Sequence, residues 1–124
     1  MLQNESTLLV ADNSGAQKLL VIRCLGGSNR RYSRIGDLVI ASVKKANPHA
    51  ANIKKGQVVT ALVVASKQYF RRSNNTWIKF SKNYAVLVKK ENKEPLGTRI
   101  FVPLLAELDH WGYKKLFSLA PEVL

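Results

Sequence analysis

Few residues in this sequence have the types and spacing that catalysis or metal binding requires. Cys24 lies within an apolar segment, which is typical of a buried structural thiol rather than of a nucleophile. His49 and His110 fall in unrelated segments, without cysteine or carboxylate residues at the spacing of metal ligands. Asp12 and Ser14 belong to a cluster of turn-forming residues, so turn formation explains both. We therefore predict no catalytic residue, no metal site and no cofactor.

Glycines and acidic residues lead to the same prediction. Gly26-Gly27-Ser28 lacks the glycine spacing and the following lysine of a phosphate-binding loop, and it indicates a tight turn instead. Residues 38–90 contain no acid, which argues against a catalytic pair of carboxylates. The enzymatic alternative is a nuclease that would use Asp37 and His49. RNA cleavage by the purified protein that is lost in His49→Ala would support that alternative.

Positive charge is the dominant chemical property of the chain. The 124 residues include 20 Lys and Arg against 8 Asp and Glu, which gives a net charge of +12. Eleven of the basic residues lie in the acid-free stretch 38–90. A compact protein of this kind repels itself unless a polyanion offsets the charge, which predicts nucleic acid as the partner. A membrane is a weaker alternative, because the basic stretch does not have the pattern of an amphipathic helix.

Many of the basic residues occur as adjacent pairs. Neighbouring residues of a strand point to opposite faces, so a pair inside a two-faced strand would bury one charge. We therefore expect the pairs at strand ends and in loops. The pairs are Arg30-Arg31, Lys44-Lys45, Lys54-Lys55, Arg71-Arg72, Lys89-Lys90 and Lys114-Lys115.

Apolar segments divide the chain into elements of one domain. A chain of this length can bury a sizeable core, and its single cysteine excludes an internal disulfide. β-branched or alternating runs, separated by Gly, Asn and Pro, predict a mainly β fold that is an antiparallel barrel or sandwich. The predicted strands are 7–10, 18–25, 38–43, 58–65, 76–80 and 84–88.

Residues 102–124 change to a helical period and follow a barrel of about 1–101. Pro103 suits the first position of a helix, and Gly112 suits its end. A second short helix over 114–119 would stop before Pro121, and both helices are expected to cap the barrel. The predicted apolar face of the first helix consists of Phe101, Leu104, Leu105, Leu108 and Trp111.

Aromatic residues are interleaved with the basic ones. Tyr69-Phe70 directly precedes a basic pair and predicts a loop tip that wedges into RNA or stacks on bases. Trp77 and Phe80 are an odd number of positions apart, so a regular strand would point them to opposite faces. One of these two is expected in the core.

Segments in the same order and at the same spacing give a family resemblance over essentially the whole chain. The segments are 10–16 (VADNSGA), 25–32 (LGGSNRRY), 97–101 (GTRIF) and 118–124 (SLAPEVL). On these residues the chain resembles the family of large-subunit ribosomal protein fourteen, of the bacterial or organellar type. The resemblance implies a small five-stranded antiparallel barrel with a projecting hairpin and a short C-terminal helical region.

The resemblance also implies function and partners. It implies a structural constituent of the large subunit that binds large-subunit rRNA and helps to form bridges to small-subunit rRNA. It implies the third and nineteenth large-subunit proteins as neighbours, and in bacterial-type members a silencing factor on the intersubunit surface. Thr98, Arg99 and Lys114 match part of that surface. The alternative function is a free-standing barrel that binds RNA, such as a cold-shock-like RNA chaperone.

The site predictions combine the charge pattern with the resemblance. For rRNA binding we predict Arg30, Arg31, Lys44, Lys45, Lys54, Lys55, Arg71, Arg72 and Lys82. For the intersubunit surface we predict Thr98, Arg99, Lys114 and Lys115.

The sequence departs from the family pattern at several loops. The hairpin turn is Asn74-Asn75 instead of an Asp-Gly or Asn-Gly pair, and asparagine tolerates the left-handed conformation that the turn requires. Ser81-Lys82 loses an acid and adds a base, and Tyr69-Phe70 replaces a smaller pair. Val102 stands in place of glycine before Pro103, and the 47–54 loop is about one residue longer.

Compartment is predicted only from composition and from the start of the chain. The family's start coincides with Met1, so no presequence is expected. The drift towards Lys, Asn and Tyr favours a mitochondrion over a plastid or the bacterial cytoplasm.

Overall fold

The computed structural model of the chain describes residues 2–3, 5–26, 32–49, 53–110 and 112–124. The elements agree with most of the predicted segments, although several are shorter or longer than expected. The strands are β1 (Thr7–Val10), β2 (Ala16–Cys24), β3 (Leu38–Ala46), β4 (Val58–Ala65), β5 (Phe70–Arg71), β6 (Trp77–Ile78) and β7 (Tyr84–Val88). The helices are α1 (Glu107–His110) and α2 (Lys114–Phe117).

A closed barrel is formed by β1, β2, β3, β4 and β7, which confirms the predicted five-stranded barrel within the described part of the chain. Successive neighbours run antiparallel, but β7 closes on β1 in the parallel direction. A ring with an odd number of alternating strands must contain one parallel pair. The barrel is therefore mixed rather than wholly antiparallel.

The barrel interior holds one apolar core. Alternate residues of each strand point inward, so the interior is built from one face of every strand. Its largest fully buried members include Leu8, Leu19, Val21, Val43, Val63 and Leu87.

A second core lies between the outer face of β4 and β7 and the C-terminal segment. Leu62, Val64 and Val86 point away from the barrel interior and pack with Leu104 and Leu108. Residues 61–65 of β4 and 85–88 of β7 are therefore buried on both faces, which explains why this part of β4 is a continuous apolar run instead of an alternating one.

The first C-terminal helix is shorter than predicted, because the segment that should begin it is extended. Leu104 pairs with Val123, and the Leu124 N–H donates to the Leu104 carbonyl (2.8 Å). The Ala106 N–H donates to the Leu124 carbonyl (3.0 Å), so the backbone of this segment is already satisfied. Phe101 is 60% exposed, so its placement on a buried helical face was wrong.

The remaining C-terminal predictions have separate outcomes. The C-terminal segment packs on the side of the barrel, against the outer face of β4 and β7. We had predicted that its helices cap the barrel. Trp111 lies outside the described residues. None of the helices among the described residues is long and apolar enough to cross a membrane.

The predicted hairpin is formed by β5 and β6, which pair antiparallel with Phe70 opposite Ile78. Asn75 has a φ of 64°, so asparagine does adopt the left-handed conformation in the turn. Phe80 is half-buried against the second core, whereas Trp77 is exposed. This confirms that only one of these two aromatic residues is in the core.

Candidate nucleic-acid interface

Three lysines from different elements line one cleft at the barrel surface. Lys18 lies on β2, whereas Lys67 and Lys82 lie at the two ends of the connection between β4 and β7. The Asn83 side chain accepts a hydrogen bond from the Lys67 N–H (2.9 Å), and its carbonyl accepts one from the Leu9 N–H (3.0 Å). Asn83 thus holds both ends of this connection against β1.

Only Lys82 of this lysine cleft was among the predicted binding residues. Lys18 and Lys67 were missed because each is isolated in sequence and belongs to none of the adjacent basic pairs. No local signal would have found them, since their approach depends on the register of β1 with β2 and on the path between β4 and β7.

Lys18 also stands directly opposite Lys45 in the pairing of β2 with β3. The register then shifts, so that Leu19 pairs with Val43 and Lys44 has no residue opposite it. Such a bulge inserts one extra residue and lets both Lys44 and Lys45 reach solvent, although the pair lies inside β3. The pair thus lies near the end of β3 with both side chains exposed, which agrees with the prediction for basic pairs.

Lys54 and Lys55 are exposed in a tight turn beside the same end of β3. Gly56 follows them with a φ of +89°, a conformation that favours glycine. The Gly56 N–H donates to the Val43 carbonyl (2.7 Å), so the turn is bound to the strand that carries Lys44 and Lys45. The structure thus brings two of the predicted lysine pairs to one end of the barrel.

The two arginines of the hairpin have different surroundings. Arg71 is exposed, and its guanidinium donates to Asn75 Oδ1 (2.8 Å). The Arg72 side chain is 21% exposed and donates from Nε to Glu107 Oε1 (3.0 Å) and from Nη2 to the Leu124 carbonyl (2.8 Å). Arg72 therefore has intramolecular partners that join the hairpin to α1 and the C-terminal segment. Arg30 and Arg31 lie outside the described residues.

The predicted intersubunit residues Thr98 and Arg99 are positioned by Asn13. Asn13 Oδ1 accepts from the Thr98 N–H (2.8 Å) and the Arg99 N–H (3.1 Å), and Asn13 Nδ2 donates to Thr98 Oγ1 (2.8 Å). A Cβ atom on Gly97 would lie 2.8 Å from Asn13 Oδ1, so only glycine allows this close approach. Both Thr98 and Arg99 are exposed.

The hydrogen bonds from Asn13 to residues 98 and 99, here called the Asn13 clamp, are supported by the neighbouring Asp12. It is buried, and its Oδ1 accepts from the Ser14 N–H (3.1 Å) and hydroxyl (2.6 Å), whereas its Oδ2 accepts from the Leu87 N–H (3.0 Å). Burial raises the pKa of the Asp12 carboxyl, and the hydrogen bonds from Ser14 and Leu87 oppose that shift. Asp12 and Ser14 therefore act in turn formation, as predicted.

The other two predicted intersubunit residues, Lys114 and Lys115, lie on α2 beside the segment of Thr98 and Arg99. Lys115 on α2 forms an ion pair with Glu94, and the Ile100 N–H donates to the Leu119 carbonyl (3.1 Å). The α2 region thus lies along the segment that carries Thr98 and Arg99. Lys115 lowers the pKa of Glu94 by its hydrogen bond and charge. Lys114 is exposed.

The residues considered for catalysis lie in separate parts of the barrel. Cys24 is buried and its Sγ lies 3.6 Å from the Leu2 carbonyl, which confirms the structural thiol. Asp37 and His49 flank opposite ends of β3, which spans about 30 Å at the rise of a strand. The described residues include no group of three His, Cys, Asp or Glu side chains that would hold a metal ion.

Fold and surface together define a small, strongly basic β-barrel protein whose middle segment is free of acids. The family model for ribosomal protein L14p/L23e matches residues 1–124, and the chain belongs to this family. This is a structural, non-enzymatic family of the large ribosomal subunit. Its members have rRNA and ribosomal proteins as partners.

Proposed function

We propose that the protein binds large-subunit rRNA through a continuous basic surface that runs from the lysine cleft to the end of β3. The observation that carries the proposal is the opposition of Lys18 and Lys45 beside the lysines of the cleft. Like charges directly opposite each other destabilise a sheet, and no acid occurs in residues 38–90 to offset them. A phosphate backbone would supply the missing negative charge.

The binding residues form a larger set than the adjacent pairs alone. Lys44, Lys45, Lys54, Lys55, Arg71 and Lys82 are exposed, and we add Lys18 and Lys67 to the proposed set because they line the same cleft as Lys82. Arg72 contributes by fixing the hairpin, because its guanidinium already contacts Glu107 and Leu124. Arg30 and Arg31 stay predictions.

Binding of this kind reads the shape of folded RNA. The deep major groove of A-form RNA is closed to side chains, so lysines and arginines contact phosphates and release counterions. A rigid barrel holds these charges at fixed separations, which selects an RNA surface whose phosphates have matching positions. The same arrangement requires no catalytic group.

We infer a second contact surface at Thr98, Arg99, Lys114 and Lys115, which would form bridges to small-subunit rRNA. The Asn13 clamp supports this proposal because it presents the exposed Thr98 and Arg99 on a fixed backbone. The third and nineteenth large-subunit proteins are proposed as neighbours, and a silencing factor as a competitor for this surface. The mitochondrion is the proposed compartment, with a plastid or the bacterial cytoplasm as the alternative.

The rRNA proposal is tested by the salt dependence of binding. We expect Lys67→Gln/Lys82→Gln to weaken binding to large-subunit rRNA and to reduce the slope of log K against log salt by about 0.7–0.9 for each lost phosphate contact. The matched control is Lys89→Gln/Lys90→Gln, which removes two exposed lysines elsewhere. Equal losses in both variants would contradict a defined binding surface.

A free-standing RNA chaperone is the competing function. It expects stacking aromatic residues on a face of the barrel and activity away from ribosomes. Sedimentation of a cell extract through sucrose distinguishes the two functions. We expect the protein to sediment with large subunits, and its recovery only in the light fractions would contradict the ribosomal proposal.

A further inference from the structure

One face of the hairpin combines aromatic and cationic side chains. Tyr69 and Arg71 are two residues apart, so they lie on the same side of the strand. Arg71 pairs with Trp77 across the hairpin, and the same face continues to Lys79. The opposite face carries Phe70, which is half-buried against the second core. The hairpin thus has an apolar inner face and an outer face of two aromatic and two cationic residues.

The two outer aromatic rings contact each other edge to face, and more than half of each side chain is exposed. Tyr69 is 63% exposed and Trp77 is 60% exposed. Their ring centroids are 6.4 Å apart with an interplanar angle of 89°, so the rings do not stack on each other. Lys79 Nζ lies 4.9 Å from the centroid of Tyr69, whereas no such cation or stacked ring covers Trp77 among the described residues. An indole face is therefore open to a planar ligand.

A cleft of about 370 Å³ opens beside these rings. Ile35 and Phe70 line it with apolar surface, and the arginines Arg34 and Arg71 add positive charge. This volume is within the range of about 300–1,000 Å³ for small-molecule sites, which are mostly apolar with a few placed polar groups. The cleft therefore has aromatic and aliphatic side chains together with two arginines in its lining.

We propose that this hairpin cleft binds an unpaired nucleotide of RNA, with the base stacked on Trp77 or Tyr69 and the adjoining phosphates on Arg34 and Arg71. Charge complementarity selects this occupant, because every ionisable side chain lining the cleft, apart from the tyrosine, is an arginine. Asp37, which accepts from the Arg34 N–H (2.7 Å), and Glu107, which pairs with Arg72, are not part of the lining, so the lining offers no carboxylate to a basic peptide. The proposal deepens the rRNA-binding function and rests on it.

The lysine cleft and the hairpin cleft would contact different parts of the RNA, the first its phosphates and the second an unpaired base. The lysine cleft and the end of β3 would bind structured RNA by its phosphates, without a preference for single strands. The hairpin cleft would add a contact that only an unstacked base can make. In a base-paired helix the faces of the bases are already stacked, so a duplex gains nothing from the aromatic side chains.

The test measures binding of the full-length protein to an oligoadenylate of about six nucleotides and to an RNA duplex with a similar number of phosphates. We expect Tyr69→Ala/Trp77→Ala to weaken binding of the oligoadenylate about ten- to a hundredfold, the usual size of a base stacking contact. Binding of the duplex and the salt slope for both RNAs should stay unchanged. Quenching of tryptophan fluorescence by the oligoadenylate should disappear in Trp77→Phe.

Phe101→Ala is the matched control, because Phe101 is an aromatic residue with the same 60% exposure as Trp77. It should bind both RNAs like the unchanged protein. A second pair of variants separates stacking from simple apolar burial: Tyr69→Phe/Trp77→Tyr should keep most of the affinity, and Tyr69→Leu/Trp77→Leu should lose it. Circular dichroism confirms that each variant is folded.

Several results would contradict nucleotide binding by the hairpin cleft and would leave the rRNA proposal unaffected. These are an unchanged oligoadenylate affinity in Tyr69→Ala/Trp77→Ala, an equal loss for the duplex, or full binding by the leucine variant. Ultraviolet crosslinking in intact large subunits adds one more outcome: attachment of Trp77 to a protein instead of an RNA nucleotide would identify a protein-docking site. The rRNA proposal itself fails only in the lysine-cleft and sedimentation experiments.

Discussion

Asp12 is a buried acid whose desolvation costs free energy, and whose carboxylate also accepts three hydrogen bonds. Its carboxylate is buried, yet it satisfies the backbone N–H of Leu87, whose side chain is fully buried in the barrel interior. Burial raises the pKa of Asp12, and the hydrogen bonds from Ser14 and Leu87 limit the rise. The residue therefore stabilises the turn by hydrogen bonding while its charge is desolvated.

We expect Asp12→Ala to lower the free energy of unfolding by about 1–3 kcal/mol at neutral pH, because the buried Leu87 N–H loses its acceptor. The difference should widen at acid pH. A raised folded pKa means that the folded state binds the proton more tightly, so this stabilisation is complete below the unfolded pKa of 3.8 and is lost as pH rises through the folded value. Urea unfolding at several pH values measures it.

Glu91→Ala is the control for this measurement, because Glu91 is an exposed acid just after β7, the strand that contains Leu87. Its loss should change the free energy of unfolding by less than about 0.5 kcal/mol. If the gap between the unchanged protein and Asp12→Ala narrows as the pH falls, the hydrogen bonds outweigh burial and the assigned direction is wrong.

At the scale of elements, Gly97 sets how closely two loops approach. A Cβ at this position would lie 2.8 Å from Asn13 Oδ1 and 3.2 Å from Asp12 Cβ. We expect Gly97→Ala to displace the Asn13 clamp, to destabilise the protein by about 1–3 kcal/mol and to weaken subunit association. Leu96→Ala, one residue earlier and exposed, should change stability by less than about 0.5 kcal/mol. Normal association of subunits carrying Gly97→Ala would argue against this surface.

The hairpin and the C-terminal segment are joined by the Arg72–Glu107 ion pair. Glu107 Oε2 is buried and has no hydrogen-bond partner among the described residues, so Glu107 depends on Arg72. We expect a double-mutant cycle of Arg72→Ala and Glu107→Gln to give a coupling energy of about 1–2 kcal/mol in chemical unfolding. Arg71→Ala, which lacks a contact to Glu107, serves as the control in a cycle with the same partner. Additive effects at Arg72 and Glu107 would show that the hairpin is held by apolar packing alone.

The whole molecule carries a net charge of +12 that its own acids leave uncompensated. Screening should relieve this repulsion, so raising the salt from about 0.05 to 0.5 M should increase Tm by about 4 °C, equivalent to about 1 kcal/mol. Calorimetry measures the change. Lys18→Gln/Lys45→Gln removes one opposed pair and should reduce the gain. A Tm that falls as salt is added would mean that attractive ion pairs dominate instead.

Salt should therefore act in opposite directions on folding and on binding. It stabilises the isolated barrel by screening like charges, and it weakens the complex by competing for phosphates. The protein is thus most self-repulsive under the conditions in which it would bind RNA best.

Much of this protein was predictable from its sequence by itself. Composition determined a strongly basic chain with enough apolar residues for a core, since charge and apolar content are properties of the residues whatever the fold. The family resemblance predicted the barrel; the family model confirmed the family, and the strand topology confirmed the barrel. The asparagine turn was predictable because backbone preference is local: the φ of Asn75 is a property of that residue type in a turn.

Only the tertiary structure decided which charges meet. The lysine cleft joins residues that are far apart in sequence: Lys18, Lys67 and Lys82. Their approach depends on strand register and on Asn83, whose side chain accepts a hydrogen bond from the Lys67 N–H. The bulge at Lys44 and the extended Leu104 segment likewise depend on partners from remote positions. Sequence periodicity reports what a segment does alone, whereas hydrogen bonds to distant strands overrode it here. Contacts between remote segments also decided that Arg72 forms an intramolecular hydrogen bond with Glu107 and that Trp77 is exposed on the hairpin.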